Sequence, residues 1–310
     1  MVENFISVFQ QVLILFVLIG LGALFGKAKL IGDKGAQNIA NLVMYLATPC
    51  TIILSFQREY DSKMMINLGI ALLASLLSMV VLIVFSHMIY QKNIEEEKRG
   101  VLRFAAVFSN CGYMCLPLQQ ALIGPDGVFY GAAYVAMFNL LVWTYGLVCV
   151  SGDRKQISGK KLIFNPGILS LLVGVVMFLT STRLHTVIST PLQHLANLNT
   201  PLPMMLVGYY LSQDNLLNAL KNKDNYLCAG LRLVVYPVIS IAGMYLCGIR
   251  GNMLVTLAIA VSAPVAAITT IFAAKFNRSV QTSVQLVSLS TLLSIITMPV
   301  LVALTQLIAY

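Results

Sequence analysis

Polar residues with binding chemistry are scarce within the apolar runs of this sequence, and the most suggestive group lies between Arg103 and Gly124, RFAAVFSNCGYMCLPLQQALIG. Ser109 and Asn110 place hydrogen-bonding side chains mid-stretch. Gly112 loosens a helix there, and Pro117 removes a backbone donor and clashes with the carbonyl of Tyr113. At ~1.5 Å per residue a run of this length spans the roughly 30 Å hydrocarbon core of a bilayer. The spacing predicts a helix broken near the midplane. Irregular backbone at that depth persists only where protein buries it or a watery cavity reaches it. The break is therefore either a proline kink satisfied by neighbouring helices or a ligand site.

A second such stretch, LVTLAIAVSAPVAAITTIFAAK, carries Pro264 about halfway between Met253 and Lys275, which predicts another midplane break. Proline suits the first turn of a helix, so the second half-helices are expected to begin near Pro117 and Pro264. Their N-terminal dipoles then converge on the bilayer centre from opposite sides. With Asn110 and Ser262 as donors, that arrangement is an anion site.

Other chemistries find little support. All eleven acidic residues lie in connections or at the termini, which disfavours a buried proton relay. The spans hold no HExxH motif, no paired carboxylates and no Ser/His arrangement at usable spacing, which argues against an enzyme. Cys50, Cys111, Cys115, Cys149, Cys228 and Cys247 form no close CxxC pair, and with no His or carboxylate beside them they read as buried small hydrophobes rather than metal ligands. No cofactor is expected. Gln119 and Gln120 could offer oxygens to a cation or pack between helices; Lys275 either snorkels to headgroups or attracts a departing anion. Asn38, Asn41 and Asn139 read as interhelical hydrogen-bonding groups, and Tyr113, Tyr134 and Phe138 as candidate walls of an apolar pocket. His87 reads as interfacial, and His185 and His194 have no partner that spacing identifies.

The elements that must position these residues are membrane spans. Hydrophobic residues make up 58% of the 310 and charged ones only 10%, a polytopic composition. Ten runs of spanning length occur at about 5–25, 38–56, 65–90, 101–123, 128–150, 166–182, 196–213, 226–247, 253–274 and 281–308. The start, MVENF, lacks the basic residues of a signal peptide, so the first run is expected to be a retained span. With the N-terminus outside, sixteen Lys and Arg fall in cytoplasmic connections, Arg232 counted among them, against Arg58, Lys63, Arg183 and Arg250 outside. The positive-inside bias places both termini outside. It also explains the net charge of +9 as a face resting on anionic lipid rather than a nucleic-acid surface.

A shift of 152 residues lays Thr48-Pro49 on Thr200-Pro201, Ser109-Asn110 on Val261-Ser262 and Gly112 on Pro264. Five spans in each half, 1–150 and 151–310, predict an all-α membrane protein built as a 5+5 inverted repeat with broken, crossing helices four and nine.

The NxGxxxxP pattern of Asn110, Gly112 and Pro117, its counterpart Ser262-Ala263-Pro264 and the ten spans resemble the auxin efflux carrier family, whose bacterial members are described as malonate or organic-acid carriers and which belongs with the bile-acid sodium symporter-like superfamily. The resemblance implies a scaffold of spans one, two, six and seven, a transport domain of spans three to five and eight to ten that moves as an elevator, and a homodimer through the scaffold. It also implies that Asn110 contacts a substrate carboxylate. Ser262 stands where plant members have an asparagine, and the connection at Ser151–Asn165 lacks their long loop.

These observations predict a cell-membrane secondary transporter that exports a small organic anion, with Ser109, Asn110, Gly112, Tyr113, Pro117, Ser262, Ala263 and Pro264 at the substrate site. A sodium- or proton-coupled symporter and a non-transporting sensor of the same fold remain alternatives. The topology has a direct check: Lys160→Cys is expected to resist an impermeant thiol reagent added outside oriented cells, and strong labelling from outside would overturn it.

Overall fold

The structure, a computed structural model, describes residues 2–91, 94–160, 164–213 and 223–310, with the side chains of 2–5, 7, 8 and 223 left aside. Met1, Lys92, Lys161 and Lys221, which entered the topology and charge expectations, lie outside the described residues.

Among the described residues the chain is all-helical and has no strand. The helices in order are α1 (Val2–Lys27), α2 (Asp33–Leu42), α3 (Thr48–Ser55), α4 (Ser62–Ile89), α5 (Glu96–Val107), α6 (Leu116–Ile123), α7 (Pro125–Leu141) and α8 (Leu147–Ser151). They continue with α9 (Pro166–Leu179), α10 (Thr186–Asn197), α11 (Pro201–Ser212), α12 (Lys223–Gly230), α13 (Tyr236–Leu246), α14 (Gly251–Ser262), α15 (Ile268–Phe276) and α16 (Val280–Ala309).

Single π-type turns join α2 to α3, α7 to α8 and α12 to α13, so each pair crosses as one rod. Among the described residues, six continuous helices are then long and apolar enough to span a membrane: Phe9–Lys27, Asp33–Ser55, Ser62–Ile89, Pro125–Ser151, Asp224–Leu246 and Val280–Ala309. The expected runs at 101–123 and 253–274 are each interrupted, and those at 166–182 and 196–213 hold helices of 14 and 12 residues.

Three π-type turns sit directly before an X-Pro pair: Val43–Ala47 before Thr48-Pro49, Cys111–Cys115 before Leu116-Pro117, and Leu231–Val235 before Tyr236-Pro237. In a regular helix each proline ring would strike the carbonyl four residues back. One widened turn relieves that clash while the rod continues. This corrects the expectation for Pro117, which follows a widened turn seven residues beyond Asn110 and does not make the break.

Small residues set the closest helix contact, that of α1 with α11. A Cβ added at Gly208 would overlap the backbone carbonyl of Ile19, and one at Gly22 the backbone of Met205. Without a hydrophobic driving force between helices in lipid, such close backbone approach supplies the van der Waals contact that holds them. Elsewhere Phe56, Phe129 and Phe178 stack in series, with ring centroids 4.5 and 5.4 Å apart, locking α3, α7 and α9. Outward faces carry Val17, Leu73, Val176 and Ile296, all exposed apolar side chains suited to lipid.

Gly208→Val is expected to destabilise the detergent-solubilised protein by about 1–3 kcal/mol, the usual penalty of overpacking, because a backbone carbonyl cannot move aside. Gly20→Ala, with nothing within 4 Å of the added carbon, is expected to be neutral. Thermal unfolding of the two variants checks the contrast.

Candidate functional site

The two interrupted helices meet at their breaks. α5 ends at Val107, Phe108 turns to extended backbone, and helical geometry resumes at Cys111. α14 ends at Ser262 and α15 starts at Ile268. Between them the chains run antiparallel for one bridge at Ser109 and Val265. Asn110 N–H donates to the Pro264 carbonyl at 2.8 Å, and Ala266 N–H to the Phe108 carbonyl at 3.0 Å. Val265 N–H donates to Ser290 Oγ on α16 at 3.1 Å. Backbone groups freed by the two breaks thus find partners in each other and in α16, as hydrocarbon demands.

The carbonyls freed at the two helix ends go to one side chain. Arg232, in the widened turn Leu231–Val235, is fully buried. Its Nε donates to the Ala263 carbonyl at 3.1 Å, its Nη1 to Val107 at 3.0 Å and Ala106 at 3.4 Å, and its Nη2 to Val261. One guanidinium therefore caps the C-termini of both α5 and α14. Taking the cation out of water costs several kcal/mol. Four hydrogen bonds to a charged group, at about 1.5–3 kcal/mol each, offset that cost. This corrects the sequence reading of Arg232 as a residue of a cytoplasmic connection. Removing it leaves fifteen basic residues against four, so the charge bias stands.

Beside the crossover lies a cavity of about 520 Å³. Asn110, Gly112, Tyr113, Ala266, Ala267 and Ile268 form its inner wall, so the starts of both second half-helices face it. Tyr113, Phe138, Trp143 and Phe272 line its sides, with Asn41, Thr48, Asn139 and Thr270 between them. It extends past Asp33, Asn165 and Ala274, towards the end of the bundle that carries Lys27, Lys29, Lys160 and Lys275. No Lys or Arg side chain lines it among the described residues.

Asn110 is 5% exposed, and its side-chain amide has no hydrogen-bond partner among the described residues. Trp143 Nε1 is likewise a buried donor without a partner. Buried polar groups left open on a cavity wall are rare in folded chains and mark a place for a ligand or ordered water.

Of the eight residues predicted at the substrate site, Asn110, Gly112 and Tyr113 line the cavity. The other five do not. Ser109 and Ser262 are buried, each with a hydroxyl lacking a partner, while Ala263 and Pro264 give their carbonyls to Arg232 and Asn110. Pro117 packs within α6. α15 begins four residues after Pro264, which sits in the break itself. Gln119 Nε2 donates to the Thr256 carbonyl at 2.9 Å, tying α6 to α14, and Gln120 is exposed. Lys275 is exposed beside the Phe276 ring and does not line the cavity. Asn139 both lines the cavity and accepts from Asn165 at 3.2 Å. Phe138 is a wall residue as expected; Tyr134 is not.

Sequence reasoning missed Arg232, Trp143 and Asp33. Arg232 carried a usable signal, since it is a lone charge inside the run 226–247. Asp33 accepts from Tyr209 at 2.6 Å near the open end of the cavity, a pairing of residues 176 apart that no local pattern announces.

A family described as "Membrane transport protein" matches residues 7–159 and 153–302, which together cover most of the chain. The chain is also similar to an uncharacterized transporter of Methanothermobacter thermautotrophicus, 24% identical over 295 residues, covering 94% of this chain and 96% of the relative. An uncharacterized transporter of Methanocaldococcus jannaschii is 24% identical over 213 residues, covering 65% and 67%. With most of the chain matched and six helices of spanning length among the described residues, the chain belongs to this membrane transport family, the auxin efflux carriers that the Asn110 and Pro264 motifs resemble, and is a multi-pass membrane transporter and not an enzyme.

Proposed function

We propose that this transporter exports a small organic anion, a carboxylate, across the cell membrane by elevator-type alternating access. The observation that carries the reading is the Asn110 amide, 95% buried and unpartnered at the start of a half-helix, on the wall of a 520 Å³ cavity. Helix N-termini favour negative charge, and the cavity volume suits a small molecule. The aromatic walls suit an apolar body attached to the carboxylate.

In this reading ten spans form a 5+5 inverted repeat over 1–150 and 151–310, with the interrupted spans four and nine crossing at the site. Spans one, two, six and seven are the scaffold, through which two copies pair as a homodimer; spans three to five and eight to ten move. The Thr48 to Asn199 hydrogen bond, 2.8 Å, supports a scaffold that joins spans two and seven. Arg58 meets Asp126 at 2.6 Å at the end away from the cavity, which supports a form closed outside and open to the cytoplasm, with both termini outside.

Membrane potential acts on the substrate's own charge. One elementary charge moved through 100 mV is worth about 2.3 kcal/mol, roughly a fiftyfold concentration ratio outward in a cell that is negative inside.

Asn110→Ala is expected to weaken binding of the carboxylate by about 1–3 kcal/mol while the protein folds, because the crossover is held by backbone bonds and not by this side chain. A thermal-shift panel of mono- and dicarboxylates on both proteins checks it; unchanged affinity in a folded variant places the site elsewhere. In proteoliposomes with an imposed potassium-diffusion potential, uptake of the ligand so identified is expected to follow voltage. Flux that needs a sodium or proton gradient and ignores voltage supports the coupled symporter, and binding without flux supports the sensor.

A further inference from the structure

Four half-helix ends meet at the crossover, and their charges nearly cancel. A helix terminus carries roughly half an elementary charge, positive at the N-terminus and negative at the C-terminus. The C-termini of α5 and α14 together contribute about one negative charge, and the starts of the two second half-helices about one positive. Such an assembly has no net preference for an anion.

Arg232 changes this sum. Its guanidinium lies on the carbonyls of Ala106, Val107, Val261 and Ala263, and so neutralises the two negative ends. No carboxylate among the described residues forms an ion pair with it; the four ion pairs found involve Arg58, Lys98, Arg183 and Arg278. We propose that Arg232 is the residue that makes the cavity beside the crossover attract anions: a fixed internal cation that cancels the helix C-termini, leaves the two N-termini uncompensated, and matches the site to a ligand of one negative charge. The proposal rests on the anion reading above and adds its origin and its valence. It also places a permanent cation on the carbonyls that would otherwise be open to a metal ion, so anion binding needs no sodium. Arg232 touches no ligand in this scheme. It is a positioning and charge-setting residue.

The chain has a built-in reporter, because its single tryptophan, Trp143, lines the cavity. Collisional quenching of Trp143 by iodide, caesium and neutral acrylamide reads the sign of the local potential without knowledge of the substrate. In wild type, in non-ionic detergent at constant ionic strength, iodide is expected to quench severalfold more strongly than caesium. Arg232→Gln is expected to abolish or reverse that preference with acrylamide quenching unchanged, and Arg232→Lys to retain it. An Arg232→Gln protein with wild-type acrylamide quenching and an unaltered iodide-to-caesium ratio overturns the proposal. If Arg232→Gln does not fold, wild type decides alone: caesium quenching equal to or above iodide overturns it, as does an iodide preference that appears only when sodium replaces choline. Benzoate is expected to protect Trp143 from iodide at concentrations at least tenfold below those of the dianion phthalate, and equal protection by phthalate removes the single-charge assignment. An iodide preference that depends on Arg232 with no carboxylate binding supports this inference and counts against the carboxylate reading.

Discussion

A chain that leaves helical geometry inside hydrocarbon must find a partner for every N–H and C=O it releases, and this protein does so twice at one place. The breaks at Phe108–Asn110 and Ala263–Ala267 satisfy each other through two backbone hydrogen bonds, and Arg232 takes up carbonyls on both sides. Each unsatisfied backbone group would cost several kcal/mol in lipid, so neither break is stable without the other. The requirement also explains why the α16 face towards the crossover is polar, with Ser288, Ser290, Thr291 and Ser294 buried and Ser290 accepting from Val265.

The same constraint produces the cavity. Two helices interrupted at one depth leave space where their side chains would have packed, and the starts of the second half-helices open into it. Asn110 takes part in both consequences: its backbone N–H closes the crossover and its side chain stands without a hydrogen-bond partner among the described residues on the cavity wall. Gln119, for which the sequence offers either a cation or helix packing, secures α6 to α14 through the Thr256 carbonyl.

Elsewhere the helices are adapted to allow these contacts without ending. Widened turns ahead of Pro49 and Pro237 keep two rods continuous, and the second presents Arg232 to the crossover. Small residues bring α1 and α11 into backbone contact, giving a rigid pair alongside the helices that surround the cavity.

Hydropathy and charge by themselves determined that the chain is a helical membrane protein, because the length of an apolar run and the placement of Lys and Arg are read by the bilayer directly. The polar pair beside glycine and the two prolines also located both interruptions to within a few residues, and singled out Asn110, Gly112 and Tyr113, which line the cavity. The exact point of each break was decided by tertiary structure. Pro117 has the intrinsic power to break a helix, yet a widened turn absorbs it, and the chain opens where Ser109 can pair with the extended backbone at Val265. Arg232 was visible as a charge in an apolar run, but its role depends on carbonyls 29 to 126 residues away, which no local pattern encodes. Only the fold brings those distant groups to one cation.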